Sequence, residues 1–321
     1  MSLINSIFKY ILAMLKKVYL NKANENWILD RLRSEWYLYN KPVSTKFIKF
    51  SDVIWICSPW TWTKIPKKYL ETKTAICSIY HIDETKFKDK DLQEFNERDK
   101  FIDFYHVISE NTKNQLLKYT DKKIISIPFW ADSGIWKELD GKKKIREELG
   151  ITQDVFVIGS FQRDTEGSDL KSPKLSKGPD RFIKIVKEIS SKKEVFVLLS
   201  GKRRSYVISE LEKHKLNYKY FEMADNNLLN KLYNCLDLYV VASRVEGGPQ
   251  AIIECGLSRT PIISTDVGVA KEILSPQSIF TMENFLDVKP DVEYAYKKAI
   301  KYKIPEGFKN YLEMLGLDHE N

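Results

Sequence analysis

The chain has 321 residues, 43% of them hydrophobic and 12% aromatic, which is enough apolar material for a sizeable core in each of two domains. No Pro/Gly/Ser-rich tract or internal repeat interrupts it, so wholesale disorder and solenoid architectures fit poorly. Net charge is +8 and sits in the first half: residues 1–150 hold 27 Lys/Arg against 20 Asp/Glu, residues 151–321 hold 25 against 24. Such a half suits a membrane surface, a nucleic acid or a phosphorylated acceptor, and equally a solvated lysine face, so charge alone does not choose.

At the amino terminus Leu3, Ile4, Ile7, Phe8, Ile11, Leu12, Leu15, Val18 and Tyr19 recur at i, i+3, i+4 spacing, with Lys9, Lys16, Lys17 and Lys22 among them and no acid before Glu25. This predicts an amphipathic helix over residues 1–22, suited to lying on an anionic membrane surface or to packing on the domain that follows. No apolar run approaches the ~18 residues of a membrane span, and no cleavable signal is evident. Cys57, Cys77, Cys235 and Cys255 lie in or beside apolar segments without C-x-x-C spacing, and read as buried free thiols of a cytoplasmic protein.

From about residue 52 short β-rich runs alternate with helical patterns. Strands are predicted at 53–57, 74–79, 105–108 and 124–127, with helices at 91–104 and 111–119, giving a parallel sheet. Pro128, Gly134, Gly141 and a Lys run break the alternation, and the domain boundary is placed at Gly150. A second series then runs strand 155–161, helix 179–190, strand 195–200, helix 205–214, strand 218–221 and helix 226–236. Strand 238–242, helix 249–257, strand 262–265 and helix 269–274 complete a Rossmann-like domain. The organisation expected is thus a helix over 1–22, a reduced α/β domain over 23–150 and a Rossmann-like domain over 151–321, whose last helix is a candidate to pack back on the first domain.

Ligands of open parallel sheets bind outside the carboxyl ends of the strands, and two loops there are unusual. One reads Ser243-Arg244-Val245-Glu246-Gly247-Gly248-Pro249-Gln250-Ala251-Ile252-Ile253-Glu254. Its glycines let backbone approach a ligand, Pro249 suits a first helical position, and the helix start at Gln250 and Ala251 offers N–H groups to a diphosphate. Each carboxylate accepts two hydroxyl hydrogen bonds, so one of Glu246 and Glu254 can hold a ribose diol and the other the hydroxyls of an attached sugar. The other loop carries Arg163 and Lys177, a fork and a point charge for a phosphate pair.

Together with Pro261-Ile262-Ile263-Ser264-Thr265-Asp266-Val267-Gly268, this stretch resembles the retaining glycosyltransferases of family 4, whose E-x7-E signature is matched by Glu246 and Glu254. The resemblance implies a GT-B fold of two Rossmann-like domains with parallel sheets facing a cleft, the N-terminal one reduced. It implies transfer of a sugar from a UDP- or GDP-type nucleotide sugar with retention, in glycan, glycolipid or polysaccharide synthesis. It assigns Arg163 and Lys177 to the diphosphate, Glu254 to the ribose, Glu246 to the donor sugar and His81 to the position of an active-site histidine. No metal and no cofactor beyond the co-substrate are expected, and the acceptor is a glycan, a lipid-linked group or a small molecule. The location expected is the cytoplasm, with peripheral attachment to the inner membrane face as an option.

Alternatives on the same fold are a sugar-nucleotide epimerase and a non-catalytic nucleotide-sugar-binding subunit. A dehydrogenase is disfavoured because Gly159-Ser160-Phe161-Gln162 lacks the G-x-G-x-x-G turn, and no P-loop motif occurs. The one D-x-D, Asp89-Lys90-Asp91, lies in a charged run and reads as a solvated helix start.

Overall fold

The computed structural model describes residues 16–24 and 28–317. The chain forms two compact units, one of the residues up to Trp130 together with those from Pro305 onward, the other of Ala131–Ile304. Each is built on a five-stranded, fully parallel sheet flanked by helices, an α/β architecture in both. Among the described residues no helix is long and apolar enough to cross a membrane.

The first sheet comprises β1 (Val18–Leu20), β2 (Val53–Ile56), β3 (Thr74–Ile79), β4 (Phe104–Val107) and β5 (Ile124–Ser126), in that spatial order. β2 to β5 fall where the apolar runs place them. β1 does not: Val18–Leu20, expected as the end of an amphipathic helix, pairs with β2 in the register Val18 to Val53. Three residues are too short a run to show a period of two, and the preceding apolar spacing masks the change; residues 1–15 of the predicted helix lie outside the described residues. The helix predicted to reach residue 104 ends at Asp99, because Phe104 opens β4. Helix Ile28–Tyr39 was not predicted. Among the described residues the strands of this unit follow one another across the sheet in chain order.

Its core explains why the residues from Pro305 belong with it. Phe308 and Tyr311 sit in an aromatic cluster with Trp36, Trp55 and Trp130: ring centroids are 4.7 Å apart for Trp130 and Phe308 and 5.3 Å for Trp55 and Tyr311. Tyr311 Oη donates to the carbonyls of Ile127 and Pro128, 3.1 Å each. Beside them runs a buried polar chain. His106 Nε2 lies 2.9 Å from the Ile127 carbonyl, which only accepts, so Nε2 carries the proton and Nδ1 accepts from Ser78 Oγ at 2.8 Å. Ser78 in turn accepts from Trp55 Nε1 at 2.8 Å.

Burial lowers the His106 pKa to about 4, against a partial offset from the Ile127 carbonyl. The unfolded chain, with an ordinary histidine near 6.5, therefore binds the extra proton first, and stability from this group is full above pH 6.5 and is lost as pH falls toward 4. That depression corresponds to about 3 kcal/mol. His106→Gln keeps the donor to Ile127 but does not titrate. Denaturant unfolding at pH 7 and pH 4 is expected to show a steeper acid loss for wild type than for the variant; equal losses would contradict it.

The second sheet comprises β6 (Phe156–Ser160), β7 (Val195–Ser200), β8 (Asn217–Phe221), β9 (Leu238–Val241) and β10 (Ile262–Ser264), in the order β10-β9-β6-β7-β8. Winding goes outward from β6 to β8, then resumes on the other side with β9, so the order reverses between β6 and β9. The boundary lies at Trp130 and Ala131, twenty residues before the predicted Gly150. Residues after Ala131 are packed into the second core: Trp136, Ile145 and Leu149 are buried there, and Arg146 Nη2 bonds Asp237 Oδ2 at 2.6 Å. Of the residues that suggested a linker, Gly134 and Gly141 serve as connectors within this unit and Pro128 lies in the first. All four cysteines are buried and free.

Candidate active site

A reversal of strand order opens a crevice at the carboxyl edge of a parallel sheet, since the loops after the two strands diverge there. In the second unit those are the loops after β6 and β9. After β6 the chain makes a short antiparallel excursion, with Thr165 bridged to Pro173 and Lys174 N–H donating to the Asp164 carbonyl at 2.7 Å. It returns through the turn Leu175–Lys177 and Gly178 into helix Pro179–Ser190. The return brings Lys174 and Lys177 back toward Arg163.

Asp164 anchors the excursion. Its Oδ2 accepts from Val207 N–H at 3.3 Å and lies 3.5 Å from Arg204 Nε, both residues being buried. Burial pushes the Asp164 carboxyl up to about 6 although Arg204 and backbone N–H groups act in the other direction.

The loop after β9 is stitched to the turn at 175–177. Arg244 and Val245 N–H both donate to the Ser176 carbonyl, at 2.8 and 3.1 Å, and the Arg244 guanidinium forks onto Asp180 at 2.7 and 2.6 Å. Gln162 Nε2 donates to the Lys177 carbonyl at 2.9 Å. This places Lys177 Nζ 2.5 Å from Glu246 Oε1, which also accepts from Ser243 Oγ at 3.2 Å. The approach depends on Gly178, whose φ is +64°; a Cβ there would lie 1.9 Å from the Ala242 carbonyl oxygen at the end of β9.

Behind the loop, Gly247 is buried and Gly268 runs against it with φ +51°, a Cβ on Gly268 meeting Gly247 O at 2.3 Å. Helix Gln250–Leu257 follows, with Gly248 and Pro249 leading into it. Pro249 is the N-cap rather than the first helical residue, so the first turn of the helix begins at Gln250 and Ala251. Glu254, 4% exposed, accepts from Tyr233 Oη at 2.9 Å, and the Tyr233 ring stacks among Trp136, Phe161 and Tyr239. A carboxylate held inside this way is oriented by the ring behind it.

On the carboxyl side of the second sheet the structure brings Lys177 against Glu246, with Arg163 and Lys174 near it and Gly247 and Gly248 in the same loop, while Glu254 sits in the helix that follows, held by Tyr233. His81 is in the first unit, exposed in the loop after β3. Asp89 and Asp91 of the D-x-D open helix Asp89–Asp99, with Asp91 Oδ2 accepting from Lys88 N–H at 3.0 Å. Three contributors escaped sequence reasoning: Lys174, the Arg244–Asp180 fork and Tyr233.

Lys174 is held below the usual lysine value by burial first, then by Arg163 and Lys177. An anion bound among these cations favours the protonated amine, so binding takes up a proton where free Lys174 has begun to lose its own. Affinity of this cluster for a diphosphate anion is therefore expected to fall at alkaline pH from a point below 10.5, and Lys174→Met to flatten that fall while weakening binding about tenfold at pH 7.5. Calorimetry between pH 7.5 and 10 decides it; an unchanged profile in the variant would contradict the assignment.

Residues 171–302, less than half of the chain, match the family model described as "Glycosyl transferases group 1". No curated protein matches the chain. Among solved structures it shares its fold with HepE of Anabaena in complex with UDP and glucose, at 12% identity and TM-score 0.71, covering 94% of this chain and 99% of that one. Sucrose-phosphate synthase from Thermosynechococcus elongatus is similar at 11% identity and TM-score 0.66, covering 89% and 76%. A glycosyltransferase from Rickettsia africae is similar at 15% identity and TM-score 0.65, covering 98% and 94%. Two parallel five-stranded α/β units are consistent with the GT-B fold.

Proposed function

We propose that the protein is a retaining, metal-independent glycosyltransferase that moves a sugar from a nucleoside-diphosphate sugar to a hydroxyl acceptor in the synthesis of a glycan, glycolipid or polysaccharide. The observation that carries this reading is the cation cluster of Arg163, Lys174 and Lys177 meeting the Glu246 carboxylate at the crevice of the second sheet. Cations suit the diphosphate, and a carboxylate at their edge suits the hydroxyls of the sugar attached to it. The buried Arg163 Nε has no hydrogen-bond partner among the described residues, and a phosphate oxygen would supply one.

In this reading Glu254, steadied by Tyr233, accepts from the ribose diol. Arg163, Lys174, Lys177 and the N–H groups at Gln250 and Ala251 take up charge on the departing diphosphate, an electrostatic role that replaces a metal ion. The bond from the anomeric carbon to phosphate oxygen breaks, and the acceptor oxygen bonds on the same face. The acceptor proton passes to the leaving phosphate, so neither Glu246 nor Glu254 serves as nucleophile. His81 is assigned to the sugar or acceptor side.

UDP-glucose heads the donor panel for the test, because HepE, whose fold the chain shares, is described with it. Turnover with UDP- and GDP-sugars in excess EDTA, with the product anomer read by NMR, is expected to proceed undiminished and to retain configuration. Inversion, or complete loss in EDTA restored by Mg²⁺ or Mn²⁺, would overturn the proposal.

A further inference from the structure

At the amino edge of the first sheet the chain turns through residues 44–51 on its way into β2. The turn is fixed in place. Thr45 N–H donates to the Val18 carbonyl at 3.0 Å, Tyr37 Oη to the Thr45 carbonyl at 2.9 Å, and Ser51 Oγ to the Ile48 carbonyl at 2.9 Å. Ile48 packs inward against the core of this unit. With the backbone held and Ile48 inside, Phe47 and Phe50 stand outward, 65% and 61% exposed, their ring centroids 6.2 Å apart and edge to face. Two adjacent phenyl rings on an ordered loop leave apolar surface that no neighbour among the described residues covers.

Lysines lie on and beside this loop. Lys46 and Lys49 are exposed, and Lys49 Nζ lies 4.5 Å from the Phe50 centroid. Lys73 Nζ reaches the Ser51 carbonyl and Lys17 Nζ that of Pro42. Residues 40–51 contain no acid. The nearby carboxylates at this edge are engaged: Asp52 accepts from Lys17 N–H at 2.9 Å and Asp103 from Ala75 N–H at 2.7 Å.

We propose that Phe47 and Phe50, with Lys46 and Lys49, dock this edge of the first unit onto an anionic lipid bilayer, the rings entering the headgroup layer and the ammonium groups meeting lipid phosphates. Rings flanked by lysines match the two components of interfacial binding, apolar insertion and attraction to negative surface charge. The chain's own sequence supports the orientation. Lys9, Lys16 and Lys17 precede β1 among apolar residues in the sequence, and Val18 at the start of β1 is bridged to Ser44 of the same loop. Phe47, Phe50, Lys46 and Lys49 all lie outside residues 1–22, so their contribution is testable with that segment in place.

The experiment uses the full chain and vesicles of phosphatidylcholine alone or mixed equally with phosphatidylglycerol, at about 0.15 M salt. Wild type is expected to co-sediment with the anionic vesicles. Lys46→Gln with Lys49→Gln is expected to weaken partitioning roughly 30-fold, from about 1 kcal/mol per lysine near an anionic surface. Phe47→Ser with Phe50→Ser is expected to weaken it at least about tenfold, with thermal midpoints of both variants within about 2 °C of wild type. Three results would overturn the proposal: no binding by wild type, as for a surface that meets an acidic protein instead; variants that bind like wild type; or a phenylalanine variant whose midpoint drops by more than about 4 °C, which means that the chain's own residues cover the rings.

Discussion

Glu254→Gln is expected to raise the donor KM by about 10²-fold, and Lys177→Ala to lower kcat by about 10²–10³-fold, both with a native fold. Glutamine at 254 keeps one carbonyl oxygen to accept from Tyr233 Oη, 2.9 Å away in the native protein, so the buried hydroxyl stays satisfied. It replaces the second oxygen with an NH₂ that cannot accept from a ribose hydroxyl, and hydrogen bonds to a charged acceptor are worth roughly 1.5–3 kcal/mol each. Alanine would confuse the result, because it strands the Tyr233 hydroxyl. Lys177 is different. In the proposed mechanism its ammonium, paired with Glu246 at 2.5 Å, meets the diphosphate in the bound donor and faces charge that grows as it leaves, so its loss lowers kcat as well as weakening nucleotide binding. Steady-state kinetics separate the two, and wild-type values in both variants would remove these residues from the site.

Gly178→Ala is expected to destabilise the second unit by at least about 4 kcal/mol and to abolish nucleotide binding. The new Cβ would sit 1.9 Å from the Ala242 carbonyl oxygen, which is backbone at the end of a central strand and cannot swing aside as a side chain does. A left-handed backbone at a non-glycine residue adds roughly 1–2 kcal/mol. Relief requires helix Pro179–Ser190 to move off β9, and Lys177, whose carbonyl is held by Gln162, moves with it. A fall of roughly 10 °C in thermal midpoint follows for a unit of this size. A variant within about 2 °C of wild type that still binds nucleotide would contradict this account of the crevice.

Much of the second unit is legible in the sequence, because its strands are compact apolar runs and its helices carry an apolar face that repeats every three to four residues. Helix Pro179–Ser190 is found at its predicted limits, Pro opening it after a left-handed Gly. The residues placed at the crevice were legible for a related reason: Glu246, Gly247, Gly248 and Glu254 lie within a dozen positions of one another, where local spacing suffices. Lys174 was not, since only the antiparallel excursion at 165–173 returns it to Arg163. The Arg244–Asp180 fork joins residues 64 positions apart, and Tyr233 reaches Glu254 from the preceding helix; neither pairing leaves a local pattern. The domain boundary failed for the opposite reason. Gly134 lies in a turn and Gly141 caps a helix, but neither reveals which core Trp136 and Ile145 will enter.

The central claim is that the crevice between β6 and β9 holds the diphosphate of a nucleotide sugar. Calorimetric titration of UDP, GDP and their sugars into the full chain and into Lys177→Ala, all in EDTA, tests it most directly. At least one nucleotide is predicted to bind wild type with a dissociation constant below about 1 mM and the variant at least about tenfold more weakly, a difference of about 1.4 kcal/mol. Absence of binding by every nucleotide, or equal affinity in the two proteins, would contradict the account.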